Sequence, residues 1–192
     1  MPQSRTPGTP EPTPGFCKVR SALRIENACF VREGRALVAP FSLTLAAGER
    51  AALVQPDEDA ARIAARIAAA IVKPTEGRVF VGDFDARLQP AQAKRLVGFV
   101  PSDGFCATPR VFEREIGFRA DVWDADRVAM QRSADAIYEA LHDAVPQSWA
   151  RAVALALAPG VSTLVLENAS AEWTDRVAAL RPEIALLTTG TA

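Results

Sequence analysis

The sequence is poor in the residues that most often carry catalysis at neutral pH. Its 192 residues include one histidine, His142, and three lysines, Lys18, Lys73 and Lys94. Mechanisms that need a pair of histidines, or a lysine directly after a glycine-rich loop, are excluded by these counts. We expect His142 itself to be a surface residue or the end of a helix.

Long apolar runs and a strong excess of either charge are also missing. No stretch approaches the roughly 18 consecutive apolar residues that a membrane helix needs, and the formal net charge is −1. The N-terminus carries no apolar signal core. We therefore expect a cytoplasmic protein without a nucleic-acid partner, which reaches the inner face of a membrane only through another protein.

Cysteine is scarce and has no spacing typical of metal ligands. Cys17, Cys29 and Cys106 are an odd number, spread widely along the chain. This usage fits a reducing compartment with ordinary thiols. We expect neither a disulfide framework nor a metal site.

Prolines, by contrast, are concentrated at the N-terminus. Five of the 14 prolines lie in residues 1–16, among serine, threonine and glycine. Such a stretch buries too little apolar surface to form a core. We predict a disordered tail over residues 1–21 and one domain over 22–192, with a helical subdomain at about 102–146.

Within the predicted domain, short apolar segments alternate with helical patterns. Residues 60–72 are rich in alanine and carry Ile63, Ile67 and Ile71 four residues apart, which predicts a helix with one buried stripe. Residues 163–166 form a bare apolar run of the kind buried inside a parallel sheet. Further strands are predicted at 23–31, 36–45 (a pair around Pro40), 50–55, 78–81, 96–100 and 184–187, and further helices around 112–118 and at 125–142, 147–158 and 171–180. The alternation predicts a mainly parallel sheet with an antiparallel addition formed by the early strands.

Five segments, in order, resemble the framework of the ATP-binding cassette (ABC) nucleotide-binding domain. They read PFSLTLAAGE at 40–49, KPTEGRVFVG at 73–82, VGFVP at 97–101, AVALALAPG at 152–160 and TLVL at 163–166. The resemblance covers roughly residues 22–192. It implies a P-loop NTPase-like α/β core of the ABC type, with a mainly parallel sheet, an N-terminal antiparallel β subdomain and a shortened helical subdomain.

The resemblance places a phosphate-binding loop at residues 55–62. The family loop is G-x-x-x-x-G-K-[ST], in which backbone N–H groups cradle phosphate, the lysine neutralises it and the hydroxyl binds Mg²⁺. The aligned residues here are Gln55, Ala60, Ala61 and Arg62. Three carboxylates at 57–59 stand where a helix N-terminus would attract phosphate, and we expect them to cap that helix themselves.

The other family positions also depart from the pattern. Glu167 and Asn168 align with the Walker B aspartate and the catalytic glutamate, and Ser102 aligns with the glutamine-loop residue. An amide cannot act as a general base near neutral pH. The signature motif aligns with residues 143–147, where only the final glutamine is kept, and the switch histidine falls at 188–189, where the sequence has threonines.

Three functions remain open at this point. The first is a pseudo-ATPase, a structural or regulatory subunit of an ABC transporter complex that pairs with a permease or an intact ABC ATPase. It would use no cofactor, metal or catalytic residue, and dimerisation stays open. The second is an unconventional nucleotide-binding protein or ATPase, in which Gln55, Arg62 and Glu167 form a non-standard phosphate site. The third is a free-standing domain for an unrelated ligand.

Overall fold

The computed structural model describes residues 21–103 and 108–191, which form eight strands and six helices in a mixed α/β arrangement. Most of the predicted tail lies outside these residues, as do Cys17 and Cys106. The elements in chain order are β1 (Ser21–Arg32), β2 (Arg35–Ala46), β3 (Arg50–Gln55), α1 (Glu58–Ala68), β4 (Glu76–Val81), β5 (Phe84–Asp85), α2 (Pro90–Leu96), β6 (Val97–Val100), α3 (Pro109–Trp123), α4 (Arg127–Leu141), α5 (Gln147–Leu157), β7 (Thr163–Glu167), α6 (Ala171–Leu180) and β8 (Ala185–Thr191).

The strands form two four-stranded sheets. One has the order β3-β8-β7-β6 and is parallel throughout, and the other has the order β2-β1-β4-β5 and is antiparallel. Strand β7 lies inside the parallel sheet and all five of its residues are buried, as its bare apolar run predicts. The predicted fold class is confirmed.

Helix α1 packs between the two sheets. One core cluster joins its Ala65 and Ile67 to Ile25 of β1, Val165 of β7 and Leu187 of β8. A helix can approach two sheets this closely because alanine side chains add little to its radius, and six residues of α1 are buried. The helix thus fixes the position of one sheet relative to the other.

The predicted isoleucine stripe of α1 is partly wrong. The helix ends at Ala68, and Ala70 has a left-handed φ of 56°, so the chain turns before Ile71. Ile71 is 50% exposed, and alanines occupy most of the buried face instead. The helix also begins earlier than predicted, at Glu58, because Asp57 caps it.

Three further elements differ from their predictions. Residues 35–46 form one strand rather than two, because β2 lies at the sheet edge, where Pro40 needs no ladder N–H. Strand β5 and helix α2 are too short for periodicity to reveal them. Helix α3 is longer than the predicted short helix and leaves Phe118 exposed.

Between Ser102 and Gln147 the described residues hold helices α3 and α4, which pack with α5 around Phe112, Met130 and Trp149. His142 is the C-cap of α4, as predicted for a helix end. Among the described helices, none combines the length and the apolar character needed to cross a bilayer.

Replacement of Gly77 by alanine should strongly destabilise the protein. Gly77 has a φ of +87°, and a Cβ there would lie 2.3 Å from the carbonyl oxygen of Asn27. We expect the free energy of unfolding, measured in urea, to fall by about 2–4 kcal/mol because left-handed strain and backbone overlap add together. Gly34 is the matched control, since it also has a positive φ but no atom within 4 Å of its Cβ position; Gly34→Ala should cost about 1 kcal/mol. Equal losses would contradict the role of the Asn27 contact.

Candidate functional site

The aligned Walker positions meet at one edge of the parallel sheet. Gln55 ends β3, Glu167 ends β7 and Ser102 follows β6 by two residues, so all three lie at carboxyl ends of parallel strands. Helix α1 begins at the same edge and carries Arg62. Ligands of open α/β sheets commonly bind at this edge. The structure therefore brings the positions together as the resemblance implies.

The loop between β3 and α1 is almost entirely taken up by the helix. The Asp57 carboxylate accepts the N–H of Ala60 at 2.8 Å, and the Asp57 carbonyl accepts the N–H of Ala61 at 3.0 Å. Only Pro56, which has no N–H, lies between the end of the strand and the helix cap. A phosphate cradle needs several converging backbone N–H groups. Here Asp57 already accepts two of these groups, the N–H of Ala60 and the N–H of Ala61.

Core packing occupies the positions aligned with the second glycine and the lysine. Ala60 and Ala64 form a small buried cluster with Val38 of β2, and Phe30 packs against it. Ala61 is also buried. This end of α1 is therefore held against the antiparallel sheet by apolar contacts.

Arg62 and Glu167 form an ion pair at the centre of the site. The distance between Arg62 Nε and Glu167 Oε1 is 3.3 Å, and the side chain of Glu167 is only 6% exposed. Arg62 Nη1 also lies 3.5 Å from Asp59 Oδ1, one helical turn away. A buried carboxylate needs a nearby positive charge or hydrogen-bond donors. The guanidinium supplies that charge from within the chain.

The other neighbours of Glu167 leave little space beside this pair. Ser102 Oγ lies 3.5 Å from the same Oε1 atom. A cavity of about 40 Å³ lies against Arg62, Ser102, Glu167 and Asn168. This volume is far below the roughly 300–1,000 Å³ typical of small-molecule sites.

Two buried polar atoms near this cavity have no partner among the described residues. They are Glu167 Oε2 and Thr189 Oγ1. Glu167 and Thr189 are register partners on neighbouring parallel strands, so their side chains leave the sheet on the same face. A single bound water could satisfy both atoms, since buried waters typically bridge such groups.

The remaining aligned positions form hydrogen bonds and helix caps within the fold. Asn168 has a left-handed φ of 51°, and its N–H donates to the Thr189 carbonyl at 2.7 Å. Thr188 Oγ1 donates to the Ala51 carbonyl at 3.4 Å. In the signature-aligned segment, Pro146 is the N-cap of α5, and Gln147 Oε1 accepts a hydrogen bond from Arg151.

Sequence reasoning identified the positions of this site but not the contacts between them. The Asp59–Arg62 pair has a local signal, the three-residue spacing of opposite charges on a helix. The pair of Arg62 and Glu167 has no such signal because the two residues are 105 positions apart. The sequence marks Thr189 only as a position where the family has a histidine.

The comparisons agree with the fold. No protein-family model matches the sequence, and no curated protein sequence matches it either. Among solved structures, the chain is similar to CbiO1 from Clostridium perfringens, part of the ABC transporter complex cbiONQ, with 14% identity and a TM-score of 0.68 over 90% of this chain and 79% of that one. It is also similar to an ATP-binding subunit of an ABC transporter, with 11% identity and a TM-score of 0.68 over 88% of this chain and 79% of that one.

A third similar structure is a bacterial Atm1-family ABC exporter with ATP bound. Its identity with this chain is 20% and the TM-score is 0.63, over 93% of this chain and 36% of the exporter. At these identities the likeness shows the fold. The fold is that of ABC ATP-binding subunits, which confirms the resemblance seen in the sequence.

Removal of the Asp57 cap should weaken α1. Asp57→Ala leaves the N–H of Ala60 without its side-chain acceptor, and we expect the free energy of unfolding to fall by about 1 kcal/mol. Glu58→Ala removes an equal charge from the same turn without removing the cap, so its loss should stay below about 0.5 kcal/mol. Urea unfolding monitored by circular dichroism measures both, and a larger loss for Glu58→Ala would contradict the assigned cap.

Arg62→Met should destabilise the protein because it leaves the buried Glu167 carboxylate without its cation. We expect a loss of about 1–3 kcal/mol at pH 7, less than for a fully buried pair because Arg62 is partly exposed. Adding Glu167→Leu should recover most of the loss, since an apolar pair leaves no unpaired charge.

The control for that change is Arg66→Met, one turn further along α1. Arg66 forms no ion pair with any described residue, and its replacement should alter the free energy of unfolding by about 0.5 kcal/mol or less. If the double variant at 62 and 167 were no more stable than Arg62→Met alone, the ion pair would not be the cause.

Proposed function

We propose that this chain is a catalytically inactive relative of ABC ATP-binding subunits and works as a structural or regulatory subunit of an ABC transporter complex. It neither binds nor hydrolyses ATP efficiently. The observation that carries the proposal is the Arg62–Glu167 ion pair, 3.3 Å apart. It joins the two positions that, in the resembling family, hold the metal of Mg-ATP.

The charges of the site support this proposal. Mg²⁺ binding requires hard oxygen ligands with net negative charge, but the guanidinium of Arg62 already neutralises Glu167 and would repel a divalent cation. Triphosphate binding requires free N–H groups and cations at the helix start, but Asp57 caps that start, and Glu58 and Asp59 add negative charge. The magnesium ion would therefore meet the positive charge of Arg62, and the triphosphate would meet the negative charges of Glu58 and Asp59.

The missing general base supports the absence of hydrolysis. Asn168 occupies the position of the catalytic glutamate, and an amide does not take a proton from water near neutral pH. Only Gln147 remains of the signature, and Pro146 has no N–H to offer a partner's γ-phosphate. A role in partner binding is therefore favoured over a share in hydrolysis.

The proposed partners are an ABC permease or an intact ABC ATPase. CbiO1, which shares the fold, is part of a transporter complex. In this proposal the subunit is cytoplasmic and peripheral to the membrane through its partner.

Mg-ATP should leave the melting temperature of the purified chain unchanged within about 1 °C. A nucleotide present at 100 times its Kd would stabilise a native protein by about 2.7 kcal/mol, which corresponds to about 5–10 °C for a domain of this size. Phosphate release by the purified chain alone should stay at background. A rise of several degrees that disappears in Glu167→Gln, or turnover abolished by that change, would favour the unconventional nucleotide site instead.

Affinity purification of the tagged chain from its native cell tests the partner. A multi-spanning membrane protein of transporter type, or an intact ABC ATPase, should co-elute in stoichiometric amount. Recovery of the chain alone under conditions that preserve transporter complexes would contradict the proposed role.

A further inference from the structure

A cleft beyond the C-terminal end of α1 gathers positive charge in a chain whose formal net charge is −1. The cleft has a volume of about 290 Å³ and lies between the segment after α1, strand β4, the turn after β5, and helix α2. Four cationic residues and one carboxylate, Glu76, line it. The cations are Lys73, Arg78, Arg87 and Lys94, which include both lysines of the described residues.

None of these four cationic side chains has a partner within residues 21–103 and 108–191. They form no ion pair and no side-chain hydrogen bond there, and all four are exposed. Like charges that converge on one cleft repel each other, so the arrangement costs the fold stability. An anion in the cleft would remove that cost.

Capping of α1 does not explain the cluster. Cations often gather at a helix C-terminus to bind its last carbonyl oxygens. Here the carbonyls of Ala65, Arg66 and Ile67 accept hydrogen bonds from the backbone N–H groups of residues 69–72. The helix end is satisfied without the lysines and arginines.

The backbone that carries these cations is held in place. The buried Asp85 accepts the N–H of Arg87 at 2.8 Å and the N–H of Leu88 at 3.4 Å, which fixes the turn after β5. Gly77 brings β4 against the backbone of Asn27. A site whose backbone is already ordered loses less entropy when a ligand binds.

The cleft also has an apolar side. Ile71 and Val72, which follow the end of α1, line it with accessible side chains, and Ile71 is 50% exposed. The volume lies near the lower end of the roughly 300–1,000 Å³ found for small-molecule sites. A cationic rim over an apolar wall fits a ligand with both an anionic group and an apolar body.

We propose that this cleft binds a small organic anion that carries a phosphate or carboxylate group on a short apolar body. The anionic group pairs with Arg78, Arg87 and the two lysines, and the apolar body contacts Ile71 and Val72. Arginine and lysine both bind phosphate well. The proposal is independent of the Arg62–Glu167 pair, because no residue that lines this cleft also lines the cavity beside that pair.

Titration calorimetry of the full chain at low ionic strength tests the cleft, with inorganic phosphate and phenyl phosphate as probes. Phenyl phosphate should bind more tightly than inorganic phosphate because only it can use the apolar wall. The double variant Arg78→Gln/Arg87→Gln should weaken phenyl phosphate binding by about tenfold. The double variant Arg110→Gln/Arg132→Gln removes the same charge from exposed positions outside the cleft and should change the Kd by less than about twofold.

Three results would overturn the proposal. They are no binding of either probe, equal weakening in both double variants, and binding only to vesicles of phosphatidylcholine with phosphatidylglycerol that is lost in Arg78→Gln/Arg87→Gln. The last result would assign the cleft to lipid headgroups. If urea unfolding shows that Arg78→Gln/Arg87→Gln is not folded, the double variant Lys73→Gln/Lys94→Gln tests the same cleft. Weak ATP binding that depends on Arg78 and Arg87 but not on Glu167 would support the cleft and leave the proposed function intact.

Discussion

The packing of α1 between the two sheets is the constraint on which the rest of the structure depends. Its buried face is built mostly from alanines, with Ile67 as the large side chain at the centre. Small side chains let the helix lie close to both sheets, so its two ends are fixed relative to the strand ends. The N-terminal end meets the carboxyl edge of the parallel sheet, and the C-terminal end opens onto β4 and α2. Both candidate sites follow from this single placement.

At the N-terminal end, charge is balanced within the chain. A helix start and a buried carboxylate are each sites that normally require a counterpart, an anion in the first case and a cation in the second. Asp57 supplies the anion and Arg62 supplies the cation. The two residues are five positions apart at the start of α1. The helix start and the buried carboxylate therefore each have a counterpart from within the chain. The cavity that remains beside them has a volume of about 40 Å³.

At the C-terminal end, the charges are left unbalanced among the described residues. Four cations face one carboxylate at the cleft, while the chain as a whole is close to neutral. The contrast between the two ends is informative because the same helix connects them. At its start the helix meets Asp57 and Arg62 of the same chain, and beyond its end the cleft presents cations that have no partner among the described residues.

The sequence by itself determined the fold class and the order of the longer strands and helices. These follow from the bare apolar run of β7 and from the order of the five framework segments. The sequence did not predict the short elements β5 and α2 or the true end of α1. These features depend on packing against distant residues rather than on periodicity. Only the tertiary structure decided that Arg62 neutralises Glu167 and that Lys73, Arg78, Arg87 and Lys94 share one cleft. Interactions between residues far apart in the chain leave no local trace, since the fold alone brings their charges within reach of each other.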